Sequence, residues 1–209
     1  GRTTLGVAEV LGRARPDLLL VLGDRMEMHA AAVAALPYLI PVAHIHGGEL
    51  TLGAVDDALR HSLTKLSHLH FVATEEYGRR VRQLGEGPAR VVVSGAPGLD
   101  NVGSVQLLSL DEFAEVVGLP PEPAPLLVTY HPETLGSTPV EAQIAEMLAA
   151  LDAVGRPVVF TGTNADAGGR AVLHAIDAFV GARDHCVRVQ HLSTAGYFSA
   201  MRHCAAMVG

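Results

Sequence analysis

Residues 17–45 read DLLLVLGDRMEMHAAAVAALPYLIPVAHI, and they decide the fold class. Two short apolar runs, Asp17 to Leu22 and Pro41 to Ile45, flank a segment from Glu27 to Leu36 whose apolar residues recur with the helical period. Runs that are apolar almost throughout are typical of parallel strands buried on both faces. The stretch therefore predicts a strand, a crossover helix and a second strand parallel to the first.

The same alternation continues along the rest of the chain. Further apolar runs occupy residues 69–73, 90–93, 126–130, 158–161 and 205–208. Helical spacing fills the segments between them, for example residues 56–66 and 140–154. We therefore predict an α/β fold built on parallel sheets. Ligands of such sheets bind beyond the carboxyl ends of the strands, so the residues just after each run are the first site candidates.

A proline-rich stretch interrupts this pattern. Residues 119–125 read LPPEPAP and contain four of the 12 prolines. Proline lacks a backbone donor and favours extended conformations, so the stretch predicts a linker. We place a domain boundary near residue 120, with residues 1–120 in a first domain and residues 121–209 in a second. The chain opens in a helical pattern and stops just after an apolar run, so we expect both domains to be incomplete.

Composition narrows the class of protein. The chain is 49% hydrophobic and 18% charged, with a net charge of -7, which argues against a protein that binds nucleic acid. Cys186 and Cys204 form no paired motif, so we expect neither disulfides nor structural zinc, and a reducing cytoplasm. No apolar run approaches the roughly 18 residues of a membrane span, so we expect no membrane partner.

The tripeptide Gly23-Asp24-Arg25 follows the first strong strand, where a helix begins. Asp24 there could act as an acid or base or orient one, while Arg25 meets a phosphate together with the helix amides. In the alternative interpretation, Asp24 caps the helix and pairs with Arg25. The tripeptide alone leaves both interpretations open.

The run HIHGGE, residues 44–49, ends the next predicted strand. Alternation along a strand predicts that His44 and His46 point to the same side, and the paired glycines would let the backbone approach a ligand closely. Two structural histidines before a glycine turn are one alternative. A metal site is another, with candidate ligands Asp24, His44, His46, Glu49 and His61. No trio at an established zinc spacing occurs, so we expect no metal.

Two acidic residues, Asp56 and Asp57, begin the following helix, which the helix dipole favours. A spacing of i,i+4 predicts that Asp56 lies beside Arg60 and Asp57 beside His61. A buried carboxylate held in this way could serve as a base. Capping of the helix is the simpler role for at least one of the two acids.

In the second half, His131 follows a predicted strand, and Pro132 favours an extended backbone at that histidine. Residues 161–170, TGTNADAGGR, follow another strand and are rich in glycine and in hydrogen-bond donors. They match neither the phosphate-loop nor the dinucleotide pattern. A turn between strand and helix, capped by Asp166, is the alternative interpretation.

Taken in order, these motifs resemble the hydrolysing UDP-N-acetylglucosamine 2-epimerases of sialic-acid and legionaminic-acid pathways. The resemblance is carried by residues 23–25, 44–49, 56–66 and 163–168, with residues 68–71, 95–100 and 131–132 also in register. It implies two Rossmann-like domains in a glycosyltransferase-B-like arrangement, with the sugar nucleotide in the cleft between them. Residues 1–120 would be the C-terminal part of the first domain, and residues 121–209 the N-terminal part of the second.

The reaction implied by the resemblance removes the C2 proton and expels UDP to leave a 2-acetamidoglucal, to which water adds to give N-acetylmannosamine. No cofactor is implied, the implied partner is a UDP-sugar, and we expect a homo-oligomer, either a dimer or a tetramer. Three alternatives stay open. They are the same chemistry on a UDP-2,4-diacetamido-trideoxyhexose, a lobe that binds sugar nucleotides without turnover, and a metal-dependent hydrolase that uses Asp24, His44, His46 and Glu49.

The resemblance also implies roles for single positions. Asp24 matches the family's first essential aspartate, Asp56 matches a second acidic position, and His131 matches a histidine that contacts the nucleotide. Either His46 or Glu49 would handle the C2 proton. The catalytic candidates are therefore Asp24, His46, Glu49, Asp56 and His131, and the substrate-binding candidates are Arg25, His131, Asn164 and Ser193. Family loops that contribute an arginine and a serine-rich diphosphate site are missing here, so we expect the 209 residues alone to be inactive.

Overall fold

The computed structural model describes residues 1–132, 135–162 and 168–209. Its contacts divide the chain into two compact units, Gly1–Asn101 and Val102–Gly209. Each unit contains a parallel four-stranded sheet with helices packed on it. None of the helices within the described ranges is long and apolar enough to cross a membrane.

The first unit repeats a strand-then-helix pattern. Its strands are β1 (Leu19–Leu22), β2 (Val42–Ile45), β3 (Leu69–Val72) and β4 (Val91–Val93). Its α-helices are α1 (Arg2–Ala14), α2 (Met26–Ala35), α3 (Asp56–Leu66) and α4 (Glu75–Gln83). The strands lie side by side in sequence order, and every neighbouring pair is parallel. The start of helix α4 is stabilised by a side-chain cap. The Thr74 hydroxyl accepts a hydrogen bond from the backbone amide of Tyr77 in the first turn of the helix.

This strand order covers one face of the first sheet. Helices α2 and α3 pack on one face of the sheet, where Val21, Val42 and Leu63 share a core. Leu20 and Leu22 alternate with Val21 and are 57% and 53% exposed. The expectation that the strands are buried on both faces is therefore wrong for β1.

The second unit is doubly wound. Its strands are β5 (Leu126–Val128), β6 (Val158–Phe160), β7 (Cys186–Arg188) and β8 (Ala206–Val208). Its helices are α5 (Leu110–Val117), α6 (Val140–Val154), α7 (Gly169–Gly181) and α8 (Thr194–His203). The strand order is β7-β6-β5-β8, so the sheet grows in one direction from β5 and then in the other. One core contains Val128 and Ile144 and the other Leu127 and Phe113, so β5 is buried on both faces as expected.

The proline-rich stretch lies inside the second unit and does not separate the two units. Phe113 and Val117 of α5 and Leu119 after it pack with Leu127 and Val159 in one core. The helix before the prolines therefore belongs with the sheet that follows them. The contact division falls after Asn101, earlier than the boundary near residue 120.

Candidate functional site

The candidate site lies at the carboxyl edge of the first sheet. Leu22, the last residue of β1, pairs with Ile45, the last residue of β2, and the Gly23 amide donates to the Ile45 carbonyl at 2.9 Å. Asp24 and His46 therefore leave two adjacent strands at the same edge. Ligands of parallel α/β sheets bind at this kind of edge.

Asp24 is held by an arginine from helix α3. The Arg60 guanidinium is 4% exposed, and its Nη2 donates to the Asp24 carboxylate. The alternative in which Asp24 caps helix α2 is wrong, because the cap position is Arg25. Arg25 lies beside Glu27, with 3.8 Å between the Arg25 Nε and a Glu27 carboxylate oxygen. Asp24 therefore belongs to an ion pair with Arg60 and not to the cap of α2.

His46 and Glu49 form a second acid–base pair in the loop after β2. The His46 Nδ1 lies 2.7 Å from the Glu49 Oε1, and both side chains are partly buried. A carboxylate oxygen can only accept here, so Nδ1 is the donor, and in the neutral tautomer of the ring Nε2 is the acceptor. His46 has a φ of 67°, in the left-handed region that side-chain-bearing residues adopt infrequently. Such conformations concentrate at functional sites.

His44 plays a different part from His46. Its ring is fully buried, with Nε2 2.7 Å from the Gly23 carbonyl and Nδ1 3.4 Å from the Thr64 hydroxyl. Burial lowers the pKa of His44 to about 4, so the ring is neutral at physiological pH and Nε2–H donates to Gly23. Strand β2 ends at Ile45 and the backbone turns at His46, so the alternation that put both histidines on one side does not extend to His46.

The geometry gives the metal alternative no support. Within residues 1–132, 135–162 and 168–209, no group of three or more His, Cys, Asp or Glu side chains is arranged to hold a metal ion. His44, one of its proposed ligands, already uses Nε2 to hold the turn that carries Asp24.

Within helix α3, Asp57 and not Asp56 pairs with Arg60. The Asp57 Oδ1 accepts from the Arg60 Nη1 at 3.1 Å and from the Thr51 backbone at 2.7 Å. The predicted pairings of Asp56 with Arg60 and of Asp57 with His61 are therefore wrong. The three-residue step from Asp57 to Arg60 brings the side chains together, and the His61 Nδ1 is buried without a partner among the described residues. Asp56 lies half-buried in the first turn of α3.

In the second unit, His131 is exposed just beyond β5. The sheet reverses its winding between β5 and β8, and such reversals are where doubly wound sheets bind ligands. The Thr129 and Thr161 hydroxyls lie 2.7 Å apart at the same edge. Ser193 caps helix α8, because its hydroxyl accepts from the Gly196 amide at 3.1 Å. Asn164 lies outside the described residues.

Sequence reasoning missed the central member of the site, Arg60, and its contact Thr51. Arg60 was assigned only to a pairing within helix α3, yet it reaches Asp24, which lies 36 residues earlier in the chain. The sole sequence signal was the acid pair one turn before an arginine, a pattern typical of many exposed helices.

The fold and this edge define a Rossmann-like α/β protein with two acid–base pairs at the carboxyl ends of adjacent strands. The whole chain, residues 1–209, matches the family described as UDP-N-acetylglucosamine 2-epimerase, and the chain belongs to that family. The resemblance drawn from the motifs is thereby confirmed.

Individual relatives agree with this assignment. The chain is 34% identical to the hydrolysing UDP-N,N'-diacetylbacillosamine 2-epimerase of Legionella pneumophila over 209 residues, which are 100% of this chain and 55% of that protein. It is 33% identical to the UDP-N-acetylglucosamine 2-epimerase of Neisseria meningitidis serogroup B over 210 residues, 100% of this chain and 54% of that protein. The chain thus spans about half the length of these relatives.

Solved structures confirm the fold class. The UDP-GlcNAc 2-epimerase of Methanocaldococcus jannaschii, solved with UDP-GlcNAc and UDP, superposes with a TM-score of 0.79. It is 15% identical, and the match covers 99% of this chain and 58% of that one. The chain therefore has the parallel α/β sheets that the sequence pattern predicts, in the glycosyltransferase-B-like fold class that the resemblance implies.

Proposed function

We propose that the full-length enzyme to which these residues belong is a hydrolysing UDP-N-acetylglucosamine 2-epimerase, which converts UDP-N-acetylglucosamine and water to N-acetylmannosamine and UDP. One observation carries the proposal. The Arg60 guanidinium donates both to the Asp24 carboxylate and to the Glu49 carbonyl. It therefore links the Asp24–Arg60 ion pair to the His46–Glu49 pair at one edge of the sheet. Family membership supplies the chemistry that such an edge would serve.

In the proposed first step, His46 removes the C2 proton. Glu49 accepts from Nδ1 and so fixes the tautomer in which Nε2 is the free base, as carboxylates do for catalytic histidines. The C2–H electron pair becomes a C1–C2 double bond as the C1–O bond breaks, and UDP leaves with the electrons of that bond. The intermediate is a 2-acetamidoglucal.

Water then adds across the double bond, with its oxygen at C1 and a proton at C2 on the face that gives the manno configuration. Asp24 is the second proton-handling group in this proposal, and Asp56, in the first turn of α3, is a further acidic position. Groups that would hold the nucleotide are Arg25, His131, Asn164 and Ser193. We also infer a cytoplasmic enzyme, which suits the two free thiols of Cys186 and Cys204.

A second candidate substrate is a UDP-2,4-diacetamido-trideoxyhexose. The hydrolysing relative from Legionella pneumophila is named for UDP-N,N'-diacetylbacillosamine, and its match covers all 209 residues of this chain. The relative named for UDP-N-acetylglucosamine matches with nearly the same identity. The elimination chemistry is the same for both sugars, because the C4 substituent takes no part in it.

Product analysis with both donors in deuterated water tests the proposal. We expect free N-acetylmannosamine and UDP from the first donor, with deuterium at C2, because the abstracted proton exchanges with solvent. Turnover of the diacetamido donor alone would assign the second substrate. A UDP-linked manno sugar with no release of UDP would contradict the hydrolysing reaction.

A further inference from the structure

Arg60 uses all of its terminal donors on one small region. Its Nη2 donates to the Asp24 carboxylate and, at 3.0 Å, to the Thr51 hydroxyl. Its Nη1 donates to the Asp57 carboxylate at 3.1 Å and to the Glu49 carbonyl at 3.0 Å. The four acceptors come from the end of β1, the loop after β2 and the first turn of α3, so one side chain joins three separate pieces of backbone.

The chemistry of these contacts requires an arginine. A guanidinium offers a planar fork of donors that can reach several acceptors at once, whereas an ammonium has three donors on a single nitrogen. At 4% exposure the guanidinium is removed from water, so its charge is balanced by the carboxylates of Asp24 and Asp57. The Asp24 carboxylate faces this cation directly.

A second arginine contacts the same loop but not Asp24. Arg80 of helix α4 donates to the Gly48 carbonyl and to Glu76, the latter at 3.0 Å. It therefore helps to hold the loop backbone but not the carboxylate. Within the described parts of the chain, Arg60 is the cation that contacts Asp24 and the Glu49 backbone together.

We propose that Arg60 is the positioning residue of the site, which holds the Asp24 carboxylate in place relative to the loop that carries His46 and Glu49. This inference rests on the proposed function. In it, Arg60 touches no substrate atom and takes no proton, and its effect on turnover passes through Asp24 and the loop.

The test uses the full-length enzyme with Arg60→Lys and Arg60→Ala. Misplacement of a reacting group by about 1 Å can cost on the order of 100-fold in rate, so we expect kcat to fall about 10- to 100-fold in Arg60→Lys and further in Arg60→Ala. The KM for the UDP-sugar should change by less than about threefold, because uniform substrate binding is untouched. Added guanidinium, at concentrations that do not denature the enzyme, should restore part of the kcat of Arg60→Ala.

Arg79→Lys is the matched control. Arg79 is exposed on helix α4, away from the site, and the variant makes the same change from arginine to lysine. Rescue by guanidinium separates positioning from general damage to the fold, since refilling the space with a cation restores the contact to Asp24. A kcat of Arg60→Lys equal to that of Arg79→Lys, or a loss that appears only in KM, would overturn the inference. Absence of turnover in the unsubstituted enzyme with either donor would overturn the proposed function and this inference with it.

Asp57→Asn keeps the inference testable if the Arg60 variants do not fold. Asparagine retains an acceptor for the Thr51 amide but removes the charge that anchors the guanidinium from the α3 side. We expect a smaller fall in kcat, about two- to tenfold, with KM unchanged. An Asp57→Asn enzyme with unaltered kcat, alongside Arg60 variants that do not fold, would show that Arg60 serves stability alone.

Discussion

At the scale of single residues, His46 owes its conformation to contacts that the sequence does not reveal. Its φ of 67° would suit glycine better, and left-handed backbone costs about 1–2 kcal/mol for other residues. The amide of His46 donates to the Phe71 carbonyl at 3.0 Å, and its ring is held by Glu49 at 2.7 Å. These two contacts fix an imidazole at the strand end and orient it.

We predict that His46→Gln removes the acid-side ionisation from the pH profile of kcat/KM in the full-length enzyme. A base must be unprotonated to accept the C2 proton, so a profile that loses activity as the pH falls should lose that dependence when the base is replaced. His44 is not the source of such a dependence near neutral pH, because burial lowers its pKa to about 4. Steady-state kinetics across the pH range check this outcome.

Glu49→Gln is the companion variant. Glutamine can still accept at Oε1, so the ionisation should persist while the rate falls less than in His46→Gln. The opposite pattern, an unchanged profile in His46→Gln and a lost limb in Glu49→Gln, would make Glu49 the base and His46 a structural residue.

The position of Asp24 could be predicted from the sequence, because it depends on local pattern alone. A polar residue directly after a buried parallel strand must lie at the carboxyl edge of the sheet. Its partner could not be predicted in the same way. Arg60 comes from a different helix, and which way it reaches depends on how α3 packs against the sheet.

At the scale of elements, the loop between β2 and α3 is held from two helices. Arg60 of α3 donates to the Glu49 carbonyl, and Arg80 of α4 donates to the Gly48 carbonyl. Gly48 has a φ of 80°, and a Cβ atom there would overlap the backbone carbonyl of Tyr77. Helix α4 can therefore pack this closely against the loop only because residue 48 of the loop is glycine.

We predict that Gly48→Ala destabilises the first unit more than Gly23→Ala does. Gly23 also has a positive φ, 78°, but no atom lies within 4 Å of a Cβ built on it. Gly23→Ala should cost about 1–2 kcal/mol from the backbone alone. Overpacking against Tyr77 should add about 1–3 kcal/mol in Gly48→Ala. Urea unfolding measures the loss in the free energy of unfolding for both variants. Equal losses would show that helix α4 moves away from the added Cβ atom without destabilising the unit.

Elements with a strong apolar run could be predicted, and a weak one was missed. Strand β7, Cys186–Arg188, has only three residues and ends in an arginine, so its sequence shows no run. It is recognised as a strand only because it pairs with β6. The membership of α5 was also hidden, since a helix beside a linker can pack on either side, and Phe113 joins the core that contains Leu127.

At the scale of the whole molecule, the two units differ in how their strands are ordered. The first sheet runs in sequence order, and the Asp24–Arg60 and His46–Glu49 pairs lie where β1 and β2 end. The second sheet reverses between β5 and β8, the arrangement at which nucleotides bind in doubly wound folds. We infer a division of labour, in which the proposed proton-handling groups lie in the first unit and most of the groups proposed to hold UDP lie in the second.

That division predicts opposite effects for two substitutions in the full-length enzyme. His131→Ala should weaken UDP binding, because loss of a hydrogen bond to a charged group costs about 1.5–3 kcal/mol, or roughly 10- to 150-fold in Kd.

Asp24→Asn should abolish turnover and leave the UDP affinity within about twofold, because Asp24 is committed to Arg60. Calorimetric titration with UDP and a turnover assay distinguish the two. Unchanged UDP affinity in His131→Ala would place the nucleotide elsewhere. A raised KM with an intact kcat in Asp24→Asn would make the Asp24–Arg60 pair part of substrate binding, and both results together would remove the division of labour.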